Sequence, residues 1–451
     1  MKWIALLVVL GLLPGAIGWL RANPRHLPRV MTALGIMQFV TGVLHLVIAP
    51  ISWGAWPGYA KGLELSLIDA FAVALIASAP KGTRVAHLRW PIAIYAVIVL
   101  FSAIQTDVPM PTFFYAWQLG RMIVLITAVA YACRDPRAPE ALIRGLIFGL
   151  AYQSVMSMID RAQGAVQAAG TFGHQNLLGM LTYFALFPAL AIMLSKKKAK
   201  WMWLGPLAAA VVIILAASRA TIGLAGAGFV LLLVLSMVRR PTPRKTSIAV
   251  AGLIALAVAA PLAMTTLGER FNKDPLPGDY DERAAFERAA TMMREDHPLG
   301  VGANHYVIVA NTKGYSDRAG VAPVYGSRSA HVHNVYLLNA AETGYPGLIA
   351  FVVMMVWPII VALRCSWRFR RDPRGELLLG LAVTLTIVCL HSFYEWIFVT
   401  YNAEYMYALA VGLIAGLSQQ MGYWTPRRVP RRAIRTGPDD PADTPPVASP
   451  A

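Results

Sequence analysis

The stretch Asn334–Leu363, NVYLLNAAETGYPGLIAFVVMMVWPIIVAL, runs for 30 residues with one charged side chain, Glu342. An apolar helix needs about 20 residues, at ~1.5 Å each, to cross the ~30 Å hydrocarbon core of a bilayer. The stretch therefore reads as a membrane span. Twelve further apolar runs read the same way, at roughly 3–20, 30–50, 62–79, 90–106, 113–132, 141–158, 176–194, 201–217, 220–238, 247–267, 377–398 and 403–420. Of 451 residues, 57% are hydrophobic and 14% charged, against about 25% charged in a soluble domain. The expected fold class is an all-α polytopic membrane protein with about 12–13 transmembrane helices. The first run has the length of a signal peptide, but no small-residue cleavage site follows it and Arg21 does, so it is read as a helix.

The net charge of +17 is distributed in a way that argues against a nucleic-acid partner. One set of alternate connections, around Arg25, Arg84, Arg137, Lys197, Arg240, Arg370 and Arg431, holds 27 of the 40 Lys and Arg residues. The opposite short connections hold Lys61, Arg161 and Arg219. This asymmetry is the positive-inside pattern, and the basic excess meets anionic membrane lipids. It predicts an outside N-terminus and a cytoplasmic C-terminus. The expected organisation is ten spans over 1–267, an outside loop or cap with short helices over 268–333, three spans over 334–420, and a disordered cytoplasmic tail over 421–451. Cys133, Cys365 and Cys389 all avoid the outside loops, so no structural disulfide is expected.

Charged groups inside spans cost roughly 2.5–3.5 kcal/mol each on insertion scales and usually face protein or water. His45, Glu64, Asp69, Arg121, Glu342, His391 and Glu395 are such groups, nearly all in the outer half by this topology. They are read either as a polar cavity beneath the cap or as buried ion pairs, such as Asp69 with Arg121, that fix packing. His331-Val332-His333-Asn334 stands at the junction of the polar loop and the apolar run.

His333-Asn334, followed after nine residues by Gly344-Tyr345-Pro346-Gly347, resembles the signature of the O-antigen ligase and polymerase superfamily. Three further pieces resemble that family, in order along about residues 170–350. They are the loop Gly170-Thr171-Phe172-Gly173-His174-Gln175-Asn176, the turn Ser218-Arg219-Ala220, and RAAFERAATMMREDHPLGVGANHY at Arg283–Tyr306. The resemblance implies a glycosyltransferase of the multi-span, lipid-linked (GT-C-like) type in the bacterial inner membrane. Such enzymes take a glycan from undecaprenyl pyrophosphate on the periplasmic face and pass it to a hydroxyl on lipid A–core, another glycan or a protein. It also implies no metal and no cofactor.

An alcohol acceptor must lose its proton as it attacks C1, and a neutral imidazole suits that task. His333 is the expected general base, oriented by Asn334 or Glu342. A pyrophosphate leaving group without a metal calls for guanidinium groups. Arg219 and Arg283 are the first candidates, then Arg288 and Arg121. His331, His174 and Asn176 complete the expected substrate-binding set, and amides around Gly170–Gly173 are possible further donors. For several of these the bland reading is structural: His331, His174 and His305 as loop supports, Arg219 as a snorkelling side chain, Arg288 as a solvated helix face, Gly344 and Gly347 as packing positions. Within the enzyme class an O-antigen ligase is preferred over a polymerase or a protein O-oligosaccharyltransferase. A lipid or sugar transporter and a non-catalytic scaffold are the readings outside it.

Overall fold

Backbone polar groups in hydrocarbon must be satisfied within the segment that carries them, and the chain folds almost wholly into helices. The computed structural model describes residues 2–40, 47–80, 87–195, 201–273 and 281–425. The helices are α1 (Lys2–Ala22), α2 (Leu27–Val40), α3 (Leu67–Ala77), α4 (Trp90–Ser102), α5 (Met110–Ala132), α6 (Ala138–Ala162), α7 (Gln175–Ser195), α8 (Leu204–Ala216), α9 (Arg219–Arg239) and α10 (Pro243–Lys273). They continue with α11 (Glu282–Asp296), α12 (Tyr306–Thr312), α13 (Tyr315–Arg318), α14 (Tyr325–Arg328), α15 (Val335–Arg368), α16 (Arg374–His391) and α17 (Tyr401–Gln420). Among the described residues, seven helices are long and apolar enough to cross a membrane: α5, α6, α7, α9, α10, α15 and α16.

The structure departs from the expected spans in instructive places. The runs at 62–79, 90–106 and 201–217 yield only the shorter apolar helices α3, α4 with its 3-10 extension, and α8. Where the run 30–50 is expected to be one span, α2 is described as far as Val40, residues 41–46 with the expected His45 lie outside the described residues, and Val47–Ile48 pairs antiparallel with Leu65–Ser66 as the strands β1 and β2. Val47, Ile48 and Leu65 thus belong to a strand pair instead of a span. The expected basic connections at 81–86 and 196–200, and the expected disordered tail from 426, lie outside the described residues.

The run at 334–363 is not one straight helix. Gly344 adopts φ 67°, ψ −171° inside α15 and breaks it. The break frees backbone groups that need new partners, and the Pro298–Gly302 segment supplies them. Val301 N donates to Ala341 O (3.1 Å), Gly302 N to Glu342 O (2.9 Å), and Tyr345 N to Pro298 O (3.1 Å). Gly344 and Gly300 are both left-handed, and a Cβ on Gly300 would lie 2.6 Å from Gly344 N. Two separate sequence motifs thus form one joint.

Residues 281–334 cap this end of the bundle. In α11, Asp281 accepts from the Arg283 and Ala284 amides, and Ala285, Phe286, Ala289, Ala290 and Met293 form the buried stripe of an amphipathic helix. At the opposite end, buried Glu376 binds Arg239 Nη1 at 2.7 Å and Lys245 Nζ at 2.6 Å, fastening α9, α10 and α16. A buried charge held by two partners is mainly a locking device, since removing either one strands the other.

Candidate active site

Helix α16 ends at His391, and the chain turns through Ser392–Trp396 beneath the cap. Val335 N donates to Ser392 O at 3.0 Å, so this turn and the start of α15 are pinned together. That pin brings Glu395 to His333. Glu395 has only 1% of its side chain exposed and accepts from His333 Nδ1 at 3.1 Å. Its other oxygen accepts from Asn176 Nδ2 at 2.5 Å and from Arg283 Nη2 at 3.5 Å. Four segments distant in sequence therefore meet at one carboxylate.

Asn334 itself is the N-cap of α15, accepting from Tyr336 N (3.0 Å) and Leu337 N (3.2 Å). The cap starts the helix immediately after His333. With Nδ1 of His333 engaged by Glu395, Nε2 is the nitrogen left for chemistry, the arrangement in which a carboxylate sets the imidazole tautomer.

Beside this pair lies a cavity of about 480 Å³, lined by Asn176, Ser218, Arg219, Arg283, Tyr394 and Glu395 over a floor from α9. Ser218 accepts from Thr221 N at 3.3 Å and starts α9, which places Arg219 in the first turn at the cavity mouth. The positive end of the α9 dipole faces the same space. Of the expected anion-binding residues, Arg219, Arg283 and Asn176 are thus together, next to His333.

The other expected residues are placed elsewhere. Arg121 donates to Asp69 at 2.9 Å and 3.1 Å with Glu64 3.6 Å away, and is 4% exposed, which is the buried ion-pair reading. Arg288 donates twice to Ala319 O and braces the cap. Glu342 binds Asn304 N (2.8 Å), Tyr306 N (2.9 Å) and the Tyr59 hydroxyl (2.6 Å), so it holds the cap and the hairpin to α15, whereas His333 meets Glu395. The loop amides at 169–171 are already taken, with Ala169 N and Gly170 N donating to Asp160 and Thr171 N to Gln153. His174 accepts from Leu177 N at the start of α7, and burial lowers its pKa. His305 lies between the Ala303 and Val108 carbonyls.

His331 is fully packed among aromatic rings, stacked on Trp396 at 4.3 Å with Tyr59 at 5.7 Å and Tyr306 at 6.3 Å. Burial, helped by the nearby His333 and Lys61, pushes its pKa down to about 3, so it is neutral at physiological pH. Burial works against ionisation of Glu395, yet the hydrogen bond from His333 and the charges of His333, Arg283 and His174 hold its carboxyl below the ordinary carboxylate range. An ionised acceptor therefore stands behind His333.

Sequence reasoning had singled out Glu395 only as a costly charge four residues after His391. The signal that would have found its partners was that cost itself: a buried carboxylate needs a partner, and His333 and Arg283 are groups the fold supplies. Residues 204–352 match a family model described as O-antigen ligase. The matched segment runs from α8 through the cap into α15 and contains Arg219, Arg283 and His333, while Asn176 and Glu395 lie outside it. No curated protein matches the chain.

Proposed function

We propose that this chain, which carries the domain of the O-antigen ligase and polymerase superfamily, is a periplasmic-face glycosyltransferase. It moves a glycan from undecaprenyl pyrophosphate to an acceptor hydroxyl, with lipid A–core as the preferred acceptor. The observation that carries this reading is the convergence of Arg219, Arg283 and Asn176 on one cavity beside the His333–Glu395 pair.

In this reading the donor pyrophosphate lies between Arg219 and Arg283. Nε2 of His333 takes the proton from the acceptor hydroxyl as its oxygen attacks C1. The new O–C1 bond forms, the C1–O bond to phosphate breaks, and its electron pair leaves on the pyrophosphate. Arg219 and Arg283 meet that charge, so no divalent cation is required. Glu395 is a positioning residue: it holds the imidazole and stabilises the imidazolium while it carries the proton. Arg283 also touches Glu395, which couples binding of the leaving group to orientation of the base.

The apolar groove of about 470 Å³ between α7, α8, α9 and α10 suits the polyprenyl tail, because α9 lines both this groove and the polar cavity. The concentration of Lys and Arg in connections at the end opposite the cap supports an inner-membrane orientation with the cap in the periplasm and the C-terminus in the cytoplasm.

The test uses purified full-length protein in nanodiscs with an undecaprenyl-pyrophosphate glycan and three acceptors: lipid A–core, free glycan and protein. Transfer to lipid A–core supports the ligase reading. Chain extension alone makes it a polymerase, and glycosylated protein an oligosaccharyltransferase. Lipid-linked glycan that crosses liposomes without any transfer overturns the enzyme reading in favour of a transporter.

A further inference from the structure

A second cavity, of about 790 Å³, is lined in part by the stacked His331 and Trp396. Its walls include Trp56, Tyr59, Lys61, Asn311, Tyr325 and Arg328. Trp396 follows Glu395 directly, and His331 precedes His333 by two residues. The two linings are thus neighbours, joined at the Glu395–Trp396 step, and His331 lies close enough to His333 to feel its charge.

The wall of the second cavity is rigidly built. Trp56 Nε1 donates to Asn304 O at 2.9 Å, and the Tyr59 hydroxyl to Glu342 at 2.6 Å. Asn304, in the left-handed region at φ 68°, also accepts from Ala60 N and donates to Ala60 O and Pro111 O. The bonding around Glu342 and Asn304 reaches Tyr59, Ala60, Pro111, Trp56 and Tyr306 and makes no direct bond to His333. It holds the hairpin rings in place, and a preorganised wall of that kind is what a binding site needs.

The chemistry of the lining is specific. Aromatic rings offer flat apolar faces, on which the C–H faces of pyranose rings pack, and a few polar groups among them fix orientation. Among the described residues no carboxylate lines the cavity, while Lys61 and Arg328 do, Arg328 held by Asp317 at 2.6 Å and by the Val321 and Ala322 carbonyls. The lining suits an oligosaccharide bearing phosphate or carboxylate substituents.

We infer that this cavity is the acceptor subsite, holding the saccharide portion of the acceptor so that its hydroxyl reaches C1 past His333. The inference rests on the transferase reading above. Direct displacement at C1 puts nucleophile and leaving group on opposite faces, so the acceptor needs a seat of its own next to the Arg219–Arg283 cavity, and the second cavity adjoins it at Glu395–Trp396.

Two measurements test it on the full-length protein. Lys61 and Tyr325 are exposed at the cavity, so the variant carries Lys61→Gln and Tyr325→Ala. In transfer assays the acceptor KM rises at least roughly tenfold and the donor KM changes less than about twofold. In saturation-transfer NMR, delipidated phosphorylated core oligosaccharide binds the wild type and His333→Ala alike, and binds the double variant at least about tenfold more weakly. Equal binding to the double variant, or a rise confined to the donor KM, overturns the inference. Oligosaccharide binding with this variant dependence, in a protein that transfers no glycan, sinks the transferase reading and leaves a saccharide site standing.

Discussion

Replacing Glu395 by Gln removes one charge from the centre of the site and almost no volume. The carboxylate accepts from His333 at 3.1 Å with its side chain 1% exposed. A hydrogen bond to a charged group contributes about 1.5–3 kcal/mol, which at ~1.36 kcal/mol per decade is roughly 13- to 160-fold in rate. The loss is expected in kcat, because the imidazolium that Glu395 stabilises forms only as the acceptor proton is taken. Donor KM rises less, through Arg283. Asp at 395 keeps the charge and falls between wild type and Gln. The pH behaviour follows from the sign of the shift. Because the Glu395 carboxyl is held below the ordinary range, its ionised form persists well above the unperturbed value of about 4.3 and is lost only as pH falls through its still lower folded pKa. Glu395 therefore produces no change of rate between about pH 5 and 8. The assay is steady-state transfer by protein in nanodiscs across that range. A Glu395→Gln enzyme within about twofold of wild-type kcat refutes the positioning role.

Arg219→Ala and Arg283→Ala are each expected to raise donor KM roughly 10-fold or more, with Lys restoring only part, because a point charge cannot reproduce the bidentate fork; titration of the donor measures this. His331, whose pKa of about 3 lies below the ordinary 6.5, binds its proton in the unfolded chain first. Its contribution is complete above pH 6.5 and declines as pH falls toward 3, by about 2 kcal/mol at pH 5; thermal unfolding in detergent at pH 7 and 5 shows this, and His331→Phe flattens the difference. Gly344→Ala places a Cβ 2.5 Å from the Leu299 carbonyl carbon at a left-handed backbone. It is expected to cost at least about 2 kcal/mol and to loosen the cap, read as faster proteolysis of the 297–302 segment.

Much of the candidate site was legible because its residues sit in local motifs. Ser218-Arg219, Asn176 and His333-Asn334 each lie where a loop becomes a helix, and such junctions place polar side chains at a helix end. What the sequence could not display was pairing over long separations. Glu395 is 62 residues from His333, and the contact exists because the turn after α16 is pinned to Val335. Hydropathy misled where apolar residues serve something other than a span. Val47–Ile48 and Leu65 are apolar enough to extend their neighbours, yet they pair as strands. The break at Gly344 was hidden for a similar reason, since glycine and proline are tolerated within membrane helices when neighbours satisfy the freed groups. Here the neighbour is Pro298–Gly302, 42 or more residues away along the chain.

The central claim, that His333 removes the acceptor proton, is tested most directly by single-turnover transfer from a labelled undecaprenyl-pyrophosphate glycan in EDTA. General-base catalysis typically contributes about 10²- to 10⁴-fold. Wild-type protein is expected to transfer at its normal rate in the chelator and His333→Ala at least about 100-fold more slowly, with donor affinity retained. A His333→Ala protein that transfers at the wild-type rate contradicts the account.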